Sequence, residues 1–321
     1  MKLSKLLFTL FLLSSFAASS QVTLPYSINK EGLPPDTSKI RFSTSEGGSI
    51  PGFFATCGIA EGEIAPDFVL YDTAGKVCRL SKLLTEGKPV LLIAASFTCP
   101  QSRKNIREKL NTINERYGDK INIRIIYTID AHPVAPDICP YTGAVFTTAA
   151  NIHDSILLPQ PLTYAQRKEM AGKLIQAFGI TVPVLIDSPS NAWWLNYGPA
   201  PNNTYLISPR GIVYKKYAWL EYIDFRHDIN SLLNDKEAMK TNVENEIAIE
   251  KDSKTGKTNL HVEDGSSYII NIRNASGEIV YSENVIRPVF DLSKPKLLPG
   301  EYSVLVKTSG NEIYCLPYRR E

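Results

Sequence analysis

The sequence lacks an excess of charge of either sign, and beyond its first residues it has no long hydrophobic run. Its 35 Lys+Arg and 33 Asp+Glu give a formal net charge of +2 at pH 7. This balance leaves no electrostatic footprint for nucleic acid or for an anionic membrane surface. With 43% hydrophobic residues in 321, the chain can fill two cores of ordinary domain size. Disorder, collagen and coiled coil are therefore excluded as the main architecture.

Cysteine is scarce, and the cysteines have neither a CxxC spacing nor the Cys/His spacing of a zinc finger. The five are Cys57, Cys78, Cys99, Cys139 and Cys315. Their spacing argues against structural zinc, and the sequence indicates no metal and no cofactor. Because five is odd, at least one thiol is free, shared between molecules or reactive. Cys57 and Cys78 are candidates for a structural disulfide, but sequence alone leaves the connectivity open.

The first twenty residues follow the order of a secretory signal peptide. Lys2 and Lys5 precede the apolar run 6–13, and small residues follow it up to Ser20. The run is too short to span a bilayer. We therefore expect residues 1–20 to be removed and the protein to reach the cell surface or the medium by way of the periplasm. That compartment favours disulfides, so an exposed thiol there implies a redox role or a partner.

The rest of the chain begins with a polar lead-in and an α/β domain. Residues 21–60 are rich in turn-forming residues, which is typical of an extended segment. Residues 61–235 alternate apolar strands such as Val90–Ala95 with helical periodicity, which predicts a central, mainly parallel or mixed sheet with helices on both faces. Thr163, followed three residues later by Gln166, predicts the start of one helix.

A charged stretch and a β-rich tail complete the chain. Residues 236–257 lack an apolar face, which predicts a flexible linker. Residues 258–321 contain short alternating runs separated by turns such as Asn274–Gly277, the pattern of a small all-β sandwich. The tail contributes only Cys315 and His261, so we expect the chemistry to lie in the α/β domain.

Cys99 is the strongest candidate for a reactive residue. It lies in Ser96–Pro100, where a buried strand ends and a helix begins. The positive end of the helix dipole and unpaired backbone N–H groups both favour the thiolate there. We expect a pKa at least about one unit below the reference of about 8.5. The alternative is a buried, inert cysteine that packs like a small apolar side chain.

The start of the α/β domain resembles that of redoxin and peroxiredoxin domains, which have the thioredoxin fold. The matching segments are Gly62–Leu70, Asp72–Lys76, Leu80-Ser81 and Gly87–Val90. Ser96–Pro100 is similar to the peroxiredoxin segment in which a Thr or Ser lies three residues before the attacking Cys. This resemblance implies a thioredoxin-like fold and a catalytic role for Ser96.

Further along, the chain resembles the iodothyronine deiodinase family. The segments concerned are Tyr127–Pro133, Thr163–Ala171 and Trp194–Ile207. The resemblance implies that Cys99 takes the selenocysteine position and His132 that of the active-site histidine. It also implies that Pro201 lies near the proline that faces the nucleophile. Both resemblances together cover about residues 62–217.

Two departures from the deiodinase pattern restrict what can be transferred. Phe97 stands where deiodinases have a second cysteine, so a resolving thiol two residues upstream is missing. Ile129 replaces the first Glu of the Glu-Glu-Ala-His segment, which leaves Asp130 as its carboxylate and as a candidate catalytic residue. Activity on thyroid hormone does not follow, and thiol redox chemistry is what the resemblance still implies.

The positions of His132 and Cys139 also indicate function. His132 lies just past a central strand, on the same sheet edge as Cys99, where an imidazole can stabilise a thiolate or transfer protons. A hydrogen-bonded loop histidine is the alternative. Cys139 is the best candidate for a resolving thiol, and a free or structurally paired loop cysteine is its alternative. Trp193 and Trp194 are more typical of a core or pocket wall than of a binding platform.

The β-rich tail resembles the sorting domain of the type IX secretion system. The matching segments are Tyr268–Tyr281, Phe290–Ser293 and Leu298–Val304. The family ends on a basic and apolar strand, whereas this chain ends with the segment Ile313–Glu321. The resemblance implies that secretion machinery is a partner, and an accessory β-sandwich is the alternative.

Together these features predict an exported thiol-dependent oxidoreductase. Cys99 attacks a peroxide, disulfide or carbon–halogen substrate, His132 assists with charge and protons, and an internal thiol or an external thiol reductant restores the enzyme. Ser96–Pro100 favours a peroxidase, whereas the segments around His132 and Trp194 favour a reductive dehalogenase. The alternative is a non-enzymatic cell-surface binding protein on a redoxin scaffold, because a fold does not determine a function.

Overall fold

The computed structural model describes residues 24–30, 32–44, 51–220, 225–240, 247–253, 255–262, 267–309 and 313–321. The predicted signal peptide, residues 1–20, lies outside the described residues. Within those residues, no helix is both long and apolar enough to cross a membrane.

A seven-stranded mixed sheet organises the first domain. Its strands are β1 (Val69–Asp72), β2 (Val77–Arg79), β3 (Val90–Ala95), β4 (Asn122–Tyr127), β5 (Val184–Ile186), β6 (Thr204–Ile207) and β7 (Val213–Tyr217). Their order across the sheet is β2-β1-β5-β4-β3-β6-β7. β3, β4 and β5 are parallel neighbours, and the other neighbours are antiparallel. The carboxyl ends of the three parallel strands therefore meet at one edge, where α/β proteins place their sites.

Helices cover both faces of this sheet. They are α1 (Pro51–Thr56), α2 (Leu80–Leu84), α3 (Pro100–Asn105), α4 (Asn111–Tyr117), α5 (Ala149–His153), α6 (Tyr164–Phe178), α7 (Ala192–Asn196) and α8 (Phe225–Asn234), and a π-helical turn at Ile106–Leu110 joins α3 to α4. In β3, Leu91 and Ile93 pack in the core that includes the π-helical turn, α4, α6 and α8. Leu92 and Ala94 pack in the core that includes α2 and α7. This alternation shows that β3 is buried on both faces, and the predicted α/β thioredoxin-like fold is confirmed.

Helix α6 begins with the predicted capping box. The Gln166 N–H donates to Thr163 Oγ at 3.3 Å, and the Thr163 N–H donates to Gln166 Oε1 at 3.2 Å. Two backbone donors that have no partner within the helix are thereby satisfied. Gly179 ends the helix in the left-handed conformation with φ 56°.

The C-terminal part is a sandwich of two antiparallel sheets. Its strands are β8 (Ile247–Lys251), β9 (Thr258–Val262), β10 (Tyr268–Asn274), β11 (Ile279–Val285), β12 (Val289–Asp291), β13 (Gly300–Thr308) and β14 (Ile313–Arg320). One sheet has the order β11-β10-β13-β14 and the other β12-β9-β8. Leu260 of one sheet and Ile270 and Val304 of the other share a single apolar core. The predicted all-β sandwich is confirmed.

Two expectations about the segments around the domains need correction. The stretch 236–257 is not a linker throughout, because Ile247–Lys251 forms β8 and pairs with β9. Ile247 and Ile249 alternate with other residues there and reach the sandwich core, a period-2 pattern that the surrounding charge conceals. The lead-in is not simply extended, because it contains α1, whose Phe54 is buried in the α/β domain.

The sandwich contacts the rest of the chain directly. The Ser303 hydroxyl donates to the Pro25 carbonyl in the N-terminal segment. Arg210, in the turn between β6 and β7, donates to the Ile313 carbonyl at 3.0 Å and lies 5.2 Å from the centre of the Tyr314 ring. The tail is therefore docked onto the α/β domain as well as joined to it by the chain.

Candidate active site

Cys99 lies at the junction of β3 and α3. It is the N-cap of α3, with Pro100 in the first turn, and its Sγ accepts a hydrogen bond from the Ser102 N–H at 3.4 Å. The side chain is 2% exposed. Burial raises the pKa of the Cys99 thiol, and hydrogen bonds from Ser102 and Gln101 lower it by less. The prediction of a lowered pKa is therefore wrong for this structure, because the loss of water outweighs the helix N-terminus.

Aromatic side chains and two further thiols surround Cys99. The buried cluster around it consists of Phe54, Ile129, Ala131, Cys139, Tyr141, Trp194 and Ala200, and Cys57 packs at its border. The Trp194 indole donates to the Tyr141 hydroxyl at 3.0 Å. The Tyr141 and Phe54 rings meet edge-on with 5.6 Å between their centres. Burial raises the pKa of Tyr141, and the hydrogen bond from Trp194 lowers it by less.

Asp130 anchors the loop that carries Cys99. Its carboxylate accepts hydrogen bonds from the Thr98 N–H at 3.2 Å, the Thr98 hydroxyl at 2.9 Å and the Tyr127 hydroxyl at 3.0 Å. Burial raises the pKa of Asp130 despite these donors. Among the described residues, the carboxylate's hydrogen bonds reach Thr98 and Tyr127 and not Cys99. These contacts favour a positioning role over proton transfer at the thiol.

Ser96 and Pro201 support the backbone on either side of Cys99. The Ser96 hydroxyl accepts a hydrogen bond from the Ala131 N–H at 3.3 Å, which joins the ends of β3 and β4. The Pro201 carbonyl accepts from the Ser102 hydroxyl at 3.2 Å. Pro201 therefore lies beside the first turn of α3, one hydrogen bond away from the residue whose N–H donates to Cys99 Sγ.

His132 is partly buried and uncharged at neutral pH. Its backbone N–H donates to the Thr98 hydroxyl at 3.1 Å. Its ring meets Phe146 edge-on, with 5.0 Å between ring centres. Its Nδ1 is buried and has no hydrogen-bond partner among the described residues. Burial lowers the pKa of His132 to about 4. The prediction that His132 assists with charge is therefore wrong at pH 7, where the ring can only accept a proton.

Arg103 and Asn151, which sequence analysis missed, connect α3 to the loop of His132. The buried Arg103 guanidinium donates to the Phe97 carbonyl at 2.9 Å and to Asn151 Oδ1 at 2.8 Å. Asn151 Nδ2 in turn donates to the Thr98 carbonyl at 2.9 Å and to the His132 carbonyl at 3.1 Å. The two residues are 48 positions apart and belong to no motif, so only the fold brings them together.

Buried Arg167 and Asp187 position the tryptophans. Arg167 donates to the Asp187 carbonyl at 3.1 Å and to Asn191 Oδ1 at 2.6 Å. The Asp187 carboxylate accepts hydrogen bonds from the backbone N–H of Trp193 at 2.9 Å and from the backbone N–H of Trp194 at 3.0 Å. Both indoles are fully buried, as expected of core and pocket wall.

All five cysteines are free thiols. Cys57 borders the Cys99 cluster, whereas Cys78 packs against the core of α2 and α7. No Cys57–Cys78 disulfide is therefore present, because the two side chains belong to different apolar cores. Burial raises the pKa of Cys315, in β14, to about 12. In the described ranges, His, Cys, Asp and Glu side chains form no group of three that could hold a metal ion.

The sequence also does not indicate that Phe54, Cys57 and Tyr141 lie at this site. Phe54 and Cys57 lie in the lead-in, where no periodicity indicates a contact with the sheet edge. Tyr141 follows Cys139 by two residues, and that proximity is the one signal in the sequence. The cluster around the thiol is thus assembled from segments that share no pattern.

Comparison with known proteins finds similarity to solved structures. No family model matches the chain, and no curated protein matches it. One similar structure is the thioredoxin domain of a thiol-disulfide oxidoreductase from Bacteroides vulgatus, with 17% identity over 55% of this chain and 100% of that one and a TM-score of 0.39. Another is a thiol peroxidase from Chromobacterium violaceum, with 12% identity, 57% and 90% coverage and a TM-score of 0.37. A thio-disulfide isomerase from Thermus thermophilus has 15% identity, 55% and 96% coverage and a TM-score of 0.35.

At these identities and TM-scores, the fold assignment rests on the sheet order and helix packing of this chain itself. The resemblances to deiodinases and to the secretion sorting domain stay predictions.

Proposed function

We propose that this chain is an exported thiol-dependent oxidoreductase with Cys99 as its nucleophile. The observation that carries the proposal is the position of Cys99 at the N-cap of α3, with the Ser102 N–H directed at its Sγ and two further thiols nearby. A backbone donor at that sulfur stabilises the thiolate that attacks and the thiolate that leaves. The signal-peptide pattern of residues 1–20 supports export.

The proposed reaction has an oxidation step and a reset step. The Cys99 thiol loses its proton and attacks an oxygen of a peroxide, the O–O bond breaks, and the products are a sulfenic acid at Cys99 and water or an alcohol. With a disulfide substrate, the same attack gives a mixed disulfide and releases one thiol. A second thiol, from Cys139 or an external reductant, then attacks the Cys99 sulfur. Carbon–halogen cleavage has support from the deiodinase resemblance alone.

The surrounding residues have distinct proposed roles. His132 lies on the loop that Thr98 and Asn151 join to the Cys99 segment, and its proposed role is to position that loop, because a pKa of about 4 makes its ring a weak base for a thiol whose pKa burial raises. Asp130 positions the loop through Thr98, and Ser96 ties that loop to Ala131. Pro201 supports the first turn of α3 through Ser102.

One observation favours the non-enzymatic alternative. Cys99 is 2% exposed, and burial raises its pKa, so the thiol is neither charged nor open to solvent in this conformation. A redoxin scaffold that keeps its cysteine in this state can serve as a surface binding protein.

Mapping oxidation at each cysteine separates the two functions. We expect limiting hydrogen peroxide, or a small disulfide, to oxidise Cys99 first, as detected by mass spectrometry of the intact and digested protein. Cys99→Ser should abolish oxidant consumption, whereas Cys315→Ser, which alters a partly buried cysteine of the sandwich, should leave it unchanged. Equal consumption by Cys99→Ser and the unmodified protein would instead support the binding protein.

We also propose that the sandwich directs the protein to secretion machinery at the cell envelope. The support is the sequence pattern of Tyr268–Val304, which forms β10 to β13 of the sandwich. In the native host, a chain that ends before β8 should accumulate in the periplasm, as measured by cell fractionation. Normal surface delivery of that chain would make the sandwich an accessory domain.

A further inference from the structure

Cys57 lies between the Cys99 cluster and the surface. It is partly exposed, whereas Cys99 and Cys139 are 2% and 0% exposed. Its Sγ lies 3.6 Å from the Phe54 carbonyl in α1. On the other side it adjoins Gly198, where a Cβ would stand 2.9 Å from that Sγ, and a φ of 100° also favours glycine there. The thiol is thus held at the rim of the site by α1 and by the loop after α7.

Cys57 also has a cationic neighbour. Lys216 Nζ donates to the Cys57 carbonyl. Burial raises the pKa of Cys57, and the Lys216 ammonium opposes that effect. A nearby ammonium stabilises a thiolate both when it attacks and when it leaves.

A disulfide between Cys99 and Cys139 would be difficult to reduce in this fold. Both side chains are buried, and thiol–disulfide exchange requires the attacking thiolate to reach one of the two sulfurs. A disulfide that includes Cys57 has one sulfur at the rim of the site. Cys57 packs against the buried cluster that contains both Cys99 and Tyr141, so its thiol adjoins the surroundings of Cys99.

We infer that Cys57 resolves oxidised Cys99 and transfers the oxidation to an external dithiol reductant. This inference rests on the proposed function of Cys99. The Cys57 thiolate attacks the sulfur of the Cys99 sulfenic acid, an S–S bond forms, and the hydroxyl leaves as water with the proton from Cys57. A thiolate of the dithiol attacks the Cys57 sulfur, and Cys99 leaves as a thiolate that accepts the Ser102 N–H bond. The second thiol of the reductant then releases Cys57, and the reductant departs as a disulfide.

The test uses the full-length mature protein. Reduced protein receives one equivalent of hydrogen peroxide, free thiols are blocked, and the protein is digested without reduction for peptide mapping. We expect a peptide that joins Cys57 to Cys99. Cys57→Ser should still be oxidised at Cys99, accumulate sulfenic or sulfinic acid there and lose about tenfold or more in turnover with dithiothreitol as the dithiol. Circular dichroism checks that the variant is folded. The peptide map of the unmodified protein tests the Cys57–Cys99 disulfide even if the variant does not fold.

Cys78→Ser is the matched control. Cys78 is also a partly exposed free thiol whose pKa burial raises, but it packs against the other core. We expect its turnover and peptide map to equal those of the unmodified protein.

Two negative outcomes have different meanings. A Cys99–Cys139 peptide, together with equal turnover of Cys57→Ser and Cys78→Ser, overturns the inference and leaves the proposed function in place. A protein in which peroxide and disulfide leave Cys99 unoxidised contradicts the proposed function, and the role of Cys57 fails with it.

Discussion

The α/β domain and the sandwich differ in how they bury polar groups. In the α/β domain, buried charged and polar side chains gather near Cys99, among them Thr98, Arg103, Asp130 and Asn151, and Arg167 is buried beside Asp187. In the described part of the sandwich, the buried polar side chains are the hydroxyls Ser303 and Thr308. A buried charge costs several kcal/mol unless it is paired, so apolar packing is the cheaper way to stabilise a domain. The buried charges of the α/β domain are better explained by the geometry that they impose on the site.

Arg167→Met provides the largest expected effect in this comparison. Its loss leaves the Asp187 carbonyl and Asn191 Oδ1 without a buried donor and removes the positive charge beside the buried Asp187 carboxyl, so we expect the free energy of unfolding to fall by about 3–5 kcal/mol. Urea denaturation measures the change. Arg210→Met removes a partly exposed arginine at the sandwich contact and should cost about 1 kcal/mol or less. If Arg167→Met and Arg210→Met lower the free energy of unfolding equally, the two domains do not differ in the energetic contribution of their charged residues.

The buried imidazole of His132 should make stability depend on pH. The pKa of His132 is about 4 in the folded protein against 6.5 in the unfolded chain, so the unfolded state binds the proton first as pH falls. The stabilisation is complete above pH 6.5 and is lost as pH falls towards 4. Between pH 7.5 and 5 we expect the neutral His132 to account for a loss of about 2 kcal/mol.

Urea denaturation of His132→Gln at both pH values tests this expectation. The variant should lose about 2 kcal/mol less than the unmodified protein over the same interval. His153→Gln is the control, because the His153 side chain is 88% exposed. If His132→Gln and His153→Gln change with pH in the same way, the buried imidazole is not the cause.

Of the substitutions at Arg167, His132 and Ser303, Ser303→Ala should have the smallest effect. It removes one neutral hydrogen bond, from the Ser303 hydroxyl to the Pro25 carbonyl, and should lower the free energy of unfolding by about 1 kcal/mol. Thr308→Val removes the other buried hydroxyl and serves as the comparison within the same strand. Removal of a buried charge costs about 3 kcal/mol or more. An equal loss for Ser303→Ala would show that the contact of the sandwich contributes as much to the free energy of unfolding as the buried charges of the α/β domain.

Elements with a strong local pattern could be predicted from the sequence. β3 coincides with its predicted bounds, Val90–Ala95, and the capping box at Thr163 marks the start of α6. The N-cap position of Cys99 follows from Pro100, which opens α3 a few residues after the buried strand β3 ends. β8 and α1 were missed, because a charged or polar composition conceals their short apolar faces.

The candidate site could be predicted only in part. One buried cluster contains Cys99, Cys139 and Ala131, the residue before His132. The sequence indicates that Cys99 and His132 lie at this edge of the sheet. The sequence does not indicate Cys57 or Tyr141 at this site, and it offers Cys57 only as a candidate for a disulfide with Cys78. Contacts between distant segments leave no periodicity in either segment, so local patterns cannot show them.

The sequence by itself determined the alternation of strands and helices in the α/β domain, the capping of α6 and the backbone donors at Cys99, because hydrophobic periodicity and helix starts depend on residues only a few positions apart. The Ser102 N–H that reaches Cys99 Sγ comes from three residues along the chain. The tertiary structure alone decided the state of that thiol. Phe54, Tyr141 and Trp194 come from separate segments and exclude water from it, and desolvation raises the pKa of Cys99 more than the local donors lower it.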